Sequence, residues 1–295
     1  MSRRHQPMKI ILSRKGFDSG YGKVASPIVS GHRPVSLPIP LPQGVLAGGV
    51  SAFGKTLGQV LHDLTGGRLG DGETVHLDPD LDRKSLRRLP GWRPAFGQVA
   101  AAQRHLENQQ VGVGDLFLFF GWFRQAAWKS GHLHYTEGAP DVHAFFGWLQ
   151  VGQVIKVDEV GPKNVPAWLE AHPHVRHAAD FSGQNNTIYV ARGTLDLGGS
   201  TDSTIDGGGV FQTWTKGLQL TVPGQKNRSV WRVPTWLEPG PTRQPLTYHG
   251  KLERWTRSNG NLTLQSAAKG QEFVLDTQHY PEAATWARGI IEAHT

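Results

Sequence analysis

The chain has no cysteine and only 2 methionines among 295 residues. The first absence excludes disulfides, thiolate metal sites and a cysteine nucleophile, leaving histidine and carboxylate as the available metal ligands. No run approaches the roughly 18 apolar residues that a membrane-spanning helix requires, so no membrane partner is expected. Met1-Ser2-Arg3-Arg4-His5-Gln6-Pro7 has no apolar stretch behind its arginines and does not read as a secretory signal, which makes a cytoplasmic protein the expectation. There is no Gly-x-Ser-x-Gly elbow. Nor does Gly-x-Gly-x-x-Gly follow a strand in a βαβ unit, which argues against a nicotinamide-dependent oxidoreductase.

What is abundant is glycine (37), proline (19), tryptophan (10) and positive charge, with 31 Lys and Arg against 24 Asp and Glu for a net +7. The glycine and proline favour turns and short strands over long helices. The charge favours an anionic partner, with nucleic acid ahead of small anions. The length suffices for one large domain with a real core, and a single compact unit over 1–295 is expected.

Periodicity predicts strands at Lys9–Leu12, Val154–Val157, Thr187–Ala191, Val230–Trp236, Leu252–Trp255 and Glu272–Leu275. Helices are predicted at Leu57–Leu64, Val99–Gln110, Val165–Ala171 and Pro281–Ala293. Five X-Pro steps hold residues 26–42 extended. Five glycines between Gly198 and Gly209 mark a long loop and a candidate lid. The balance is α+β with mostly antiparallel sheet.

The tetrapeptide Phe-Phe-Gly-Trp occurs at Phe119–Trp122 and again at Phe145–Trp148, each inside a run that reads as a buried strand. Two aromatic strands with a polar connection suggest an antiparallel pair. Each internal glycine marks a place where a neighbouring backbone or a planar ligand comes close. Alternation puts Phe120 and Trp122 on one face and Phe119, Gly121 and Phe123 on the other, so one set is core. Arg124 and Gln150 follow the two tryptophans and are expected at one rim, where they would read the edge of a stacked base.

Chemistry is sought first in the loop Arg14-Lys15-Gly16-Phe17-Asp18-Ser19-Gly20-Tyr21-Gly22. Its two cations suit phosphate, and Asp18 with Ser19 suits the orientation of a hydroxyl or water. The alternative is a turn with solvated charges. Gly49–Thr56 matches Gly-x-x-x-x-Gly-Lys-Thr, but it lacks the preceding parallel strand and reads as a chance match at a helix start. In Gly91-Trp92-Arg93-Pro94-Ala95-Phe96-Gly97-Gln98, Arg93 beside tryptophan suits a base or phosphate, with loop anchoring as the alternative. His76 with Asp78, Asp80 and Asp82, His132-x-His134 with Asp141 and His143, and His172-x-His174 with His177 offer ligand types without a known metal spacing. They read as surface histidines, no metal site is expected, and no motif names a cofactor.

Two resemblances are carried by quoted residues. Gly114-Asp115-Leu116-Phe117-Leu118-Phe119-Phe120 followed by Phe145-Phe146-Gly147-Trp148-Leu149-Gln150-Val151-Gly152-Gln153-Val154-Ile155 resembles PUA-like barrels of the ASCH, EVE and YTH groups, over about residues 111–191. This implies a small β-barrel with flanking helices and an aromatic cage for modified bases. Lys9–Ile28, His76-Leu77-Asp78-Pro79-Asp80, Phe96-Gly97-Gln98, Gly114–Arg124 and Gln271–Asp276 resemble the third type of nucleotide-modification-associated domain over nearly the whole chain. That family occurs in phage and bacterial genomes that carry DNA-base modification systems, so the resemblance implies work on modified DNA bases or nucleotides.

The resulting expectation is a protein that binds a base or nucleotide in DNA and helps to modify it. Asp18 and Ser19 are the candidate catalytic residues; Arg14, Lys15, Tyr21, Arg93, Gln98, Trp122, Arg124 and Trp148 are the candidate substrate contacts. The rivals are a non-catalytic reader of modified bases and a defence or toxin-like effector acting on nucleic acid or nucleotides.

Overall fold

The computed structural model describes residues 7–198 and 204–295. Nine strands form one sheet, whose main path runs Glu272–Asp276, Lys9–Arg14, Leu116–Lys129, Val142–Lys156, Thr187–Ala191, Ala95–Gln98. Ser26–Val29 and His132–Tyr135 extend it along Leu116–Lys129, and Gly208–Val210 along Val142–Lys156. Lys9–Arg14 and Ser26–Val29 lie parallel to Leu116–Lys129, and the remaining pairings are antiparallel. The fold is mixed α+β with a large, mostly antiparallel sheet.

The expected closed barrel is absent among the described residues. Its would-be seam, between Glu272–Asp276 and Ala95–Gln98, has no strand ladder. The sheet curls far enough for the Gln98 amide to donate to Glu272 Oε1 at 2.7 Å, so side chains bridge the seam where backbone would in a barrel.

The two Phe-Phe-Gly-Trp runs do form an antiparallel pair, in a register that sets Phe120 opposite Phe145 and Trp122 opposite His143. Period-two alternation then sorts the rings. Phe120, Phe145 and Trp148 pack with Trp231, Phe273 and the helix Glu282–Glu292, whose Ala283, Ala287 and Ile291 face inward. Phe117, Phe119, Phe123 and Phe146 pack on the other side with Phe96 and Tyr189. Both faces of the sheet are core, which explains strands that are apolar almost throughout.

Both glycines of the repeated motif answer to backbone. A Cβ on Gly121 would stand 2.7 Å from the Lys15 carbonyl oxygen, and one on Gly147 would stand 2.5 Å from that of Gly209. Gly147→Ala would also meet Leu81 Cδ1 at 2.7 Å. Overpacking of this kind costs about 1–3 kcal/mol, and a urea unfolding curve for Gly147→Ala should show that loss. An unchanged midpoint would contradict the packing.

Several predicted elements shift for local reasons. Val154–Val157 is not a new strand: Val142–Lys156 is continuous and changes partner at a bulge between Val151 and Gln153. Gly152 permits this, because Arg192 Cα lies 2.8 Å from where its Cβ would be. Leu252–Arg254 is a 3-10 turn, and the strand begins at Trp255. Gly208–Val210, at the end of the candidate lid, is a paired strand, and residues 199–203 of that stretch lie outside the described residues. Gly49–Thr56 resolves into a two-stranded hairpin before the helix Leu57–Thr65. Thr56 caps that helix by accepting from the Gln59 amide, and Gly66 ends it in the left-handed conformation.

Candidate functional site

Where the Lys9–Arg14 strand ends, consecutive cations turn to opposite faces of the sheet. Arg14 goes to the Phe120 side, its guanidinium carbon 5.8 Å from that ring's centre and 5.4 Å from Phe273's. It donates to the carbonyls of Ala267 at 2.5 Å and Ala268 at 3.0 Å. Arg228 approaches from the loop before Val230–Val233, with its guanidinium 4.4 Å above the Trp122 ring. Burial lowers the Arg14 pKa, the positive charge of Arg228 lowers it further, and Asp18 opposes both.

Among the described residues neither arginine has a carboxylate within ion-pair distance. Trp122 is half-buried, and its Nε1 is enclosed without a hydrogen-bond partner among those residues. Beside it, buried His143 accepts the Trp231 indole N–H at Nδ1, at 3.0 Å. Burial first, and then the charges of Arg14 and Arg228, push the His143 pKa down to about 3. This imidazole stays neutral at pH 7, beside two arginines without an ion-pair partner among the described residues.

On the opposite face Lys15 Nζ lies 2.7 Å from Glu272 Oε1, which also accepts from Gln98, and 4.4 Å from the Phe96 ring centre. Glu272 Oε2 is buried without a hydrogen-bond partner among the described residues. Two expected contacts, Lys15 and Gln98, thus meet on a carboxylate, and Lys15 is engaged in an ion pair.

The other expected residues are dispersed. Asp18 and Ser19 are exposed, and Asp18 Oδ1 accepts from the amides of Gly20 at 2.7 Å and Tyr21 at 2.6 Å, which shapes the turn. The exposed Tyr21 belongs to that turn. Arg93 donates to the Ala191 carbonyl and lies 5.8 Å from the Trp168 ring centre. Arg124 pairs with Asp141 at 2.7 Å. Trp148 is core, 3% exposed and stacked on Phe211, so its faces are taken by protein. Arg124 and Gln150 do not share a rim. Gln150 pairs with Leu116, whereas Arg124 lies beyond the Phe123–Val142 pair at the other end of the ladder.

The histidine clusters are regrouped by the fold. Asp78 runs beside the Ala95–Gln98 strand and accepts the Gly97 amide at Oδ1, at 2.9 Å. His172 and His174 come from the turn around Pro173–Arg176. His172 Nε2 lies 3.5 Å from Asp78 Oδ1, His174 Nε2 3.5 Å from Oδ2 and His76 Nε2 3.9 Å from Oδ2. His76, His172 and His174 are buried, not surface residues. Gly97 makes room for His174, whose Cδ2 sits 2.3 Å from where a Cβ would be. Asp78 also lines a cavity of about 70 Å³ with Gly16, Arg33, Ser36, Asp80 and Phe146.

A family model for nucleotide modification associated domain 3 matches residues 9–276. The chain belongs to that family. Membership ties it to nucleotide modification. No curated protein and no solved structure matches the chain. The nucleotide modification associated domain 3 match begins and ends on one cross-strand pair, Lys9 with Asp276. Arg14, Trp122, His143, Arg228 and Glu272 all fall inside it. Sequence reasoning missed Arg228, one charge in a polar loop with no pattern around it. It also passed over Glu272, whose signal was an acidic residue opening an otherwise apolar strand.

Proposed function

We propose that this protein binds a nucleotide unit of DNA at the Arg14–Arg228–Trp122 site and takes part in modifying its base. The observation that carries the reading is a pair of guanidiniums without carboxylate partners beside a half-buried indole. Phosphate oxygens satisfy such a pair through charge-assisted hydrogen bonds, and an indole supports a base by stacking. Asp18, close enough to act on Arg14, and its neighbour Ser19 stand nearest the reacting group in this reading. The commitment of Asp18 Oδ1 to two amides favours a second reading, in which the same site recognises a base without chemistry.

Titration of a fluorescent DNA oligonucleotide at several salt concentrations tests the site. Arg228→Gln should weaken binding roughly 10-fold or more and reduce the slope of log K against log salt by about one. Unchanged affinity and slope would remove the site from the reading. Nucleoside mass spectrometry of DNA incubated with cell extract and protein separates the two readings. The enzyme yields a new nucleoside that disappears with Asp18→Ala while binding persists; the reader yields none.

A further inference from the structure

We propose that His76, Asp78 and His174 form a binding site for a divalent first-row transition metal ion, independent of the nucleotide site. One ring nitrogen from each of His76 and His174 and a carboxylate oxygen of Asp78 all lie within 4.8 Å of one another. The hydrogen bonds around them fix which atoms face inward. His76 Nδ1 is 2.7 Å from the Gln43 carbonyl oxygen, which only accepts, so Nδ1 carries the proton and Nε2 presents a lone pair when the ring is neutral. His174 Nδ1 is 2.8 Å from Asn186 Oδ1, and the Asn186 amide is oriented by donating from Nδ2 to the His174 carbonyl. The His174 Nε2 lone pair therefore also points inward.

Two lone pairs and a carboxylate oxygen converge on one region, where a divalent cation would satisfy all three at once. A single shared proton satisfies one nitrogen and leaves the other facing a like-signed partner. The spacing agrees with an ion. Charge-assisted N–H···O bonds close to about 2.7–2.9 Å. Ligands at 2.0–2.1 Å from a tetrahedral ion stand about 3.3–3.4 Å from one another. The 3.5 Å separation of His174 from Asp78 Oδ2 is too long for the first and close to the second, and His76, at 3.9 Å, needs to close by about 0.5 Å to reach the tetrahedral spacing.

The surroundings hold the ligands as metal sites require. Asp78 Oδ1 is occupied by the Gly97 amide, leaving Oδ2 for the ion. His172 accepts the His174 amide at Nδ1, and its Nε2, buried and without a hydrogen-bond partner among the described residues, lies 3.5 Å from Oδ1. Phe181 stacks on His174 at 4.7 Å and fixes its plane. Outer partners of this kind orient ligands and set their tautomers. Two imidazoles and one carboxylate suit zinc or ferrous iron, and three protein ligands leave a fourth position.

The test uses untagged full-length protein stripped with chelator and titrated with Zn²⁺ alone by calorimetry, so no nucleic acid is needed. We expect about one equivalent per chain, with affinity weakened roughly 100-fold or more in His174→Gln and in Asp78→Asn. Absence of stoichiometric zinc binding in the wild type would overturn the site, as would undiminished binding in folded variants. If the variants do not fold, Co²⁺ added to the wild type decides. Strong visible bands of a four-coordinate ion support the site, and the weak spectrum of a hydrated six-coordinate ion overturns it.

Discussion

Lys15→Met should lower the unfolding free energy by roughly 3–5 kcal/mol, the usual loss when one member of a buried ion pair is removed. Lys15 and Glu272 are 10% and 1% exposed in their side chains, so solvent screens the pair little. With the ammonium gone, Glu272 keeps, among the described residues, a single neutral donor, Gln98, for a carboxylate inside the protein. The loss falls at a point where no strand ladder shares the load, because this carboxylate bridges the open seam of the sheet. Glu272→Gln added to Lys15→Met removes the stranded charge and should restore most of the stability. Urea unfolding of the two variants checks both statements. A loss below about 1 kcal/mol for Lys15→Met would mean the seam is held by packing alone.

Acidification from pH 7 to pH 5 should lower stability by about 2–4 kcal/mol through two buried histidines. Burial pushes the His143 pKa down to about 3 and that of His249 to about 4. Hydrogen bonding locks each ring neutral: His143 Nδ1 accepts from Trp231, and His249 Nε2 accepts from the Ala267 amide. The folded state therefore binds fewer protons than the unfolded chain, whose histidines titrate near 6.5. Their stabilising effect is complete above that pH and is lost as pH falls from 6.5 toward the folded-state values. The slope is at most about 1.4 kcal/mol per pH unit for each ring, and it vanishes once both states are protonated. Unfolding curves across pH 7–5 should show the decline, and His143→Gln should make it shallower by one proton. Stability that is flat over this range would contradict neutral, buried rings.

Local signals were legible where neighbours in sequence decide the structure. Thr187–Ala191 matches its predicted bounds, and the leucine stripe of Leu57–Thr65 is buried as its spacing requires. The repeated aromatic motif also told truthfully of an antiparallel pair and of close backbone approach at its glycines. What failed depends on partners far away in the chain. Arg124 and Gln150 occupy matching places after their motifs, yet antiparallel pairing sends matching places to opposite ends. His76 and His174 meet only because the Ala95–Gln98 strand brings two loops against Gly97. Lys15 looked like a free cation because its counter-charge, Glu272, lies 257 residues away. Arg14 and Trp122 were picked for their chemistry, but Arg228, which completes the proposed site, has no local mark.

The pairing of Lys9 with Asp276 also bears on synthesis. On the ribosome, Lys9–Arg14 can align with Leu116–Lys129 early, but its other edge stays open until Glu272–Asp276 leaves the exit tunnel. For most of translation, then, the nascent sheet has a bare strand of Ile10, Ile11 and Leu12 with unpaired amides and carbonyls. Such an edge attracts any extended segment nearby, including another growing copy. Chaperone occupancy of the nascent chain is therefore expected to persist until residue 276 has emerged.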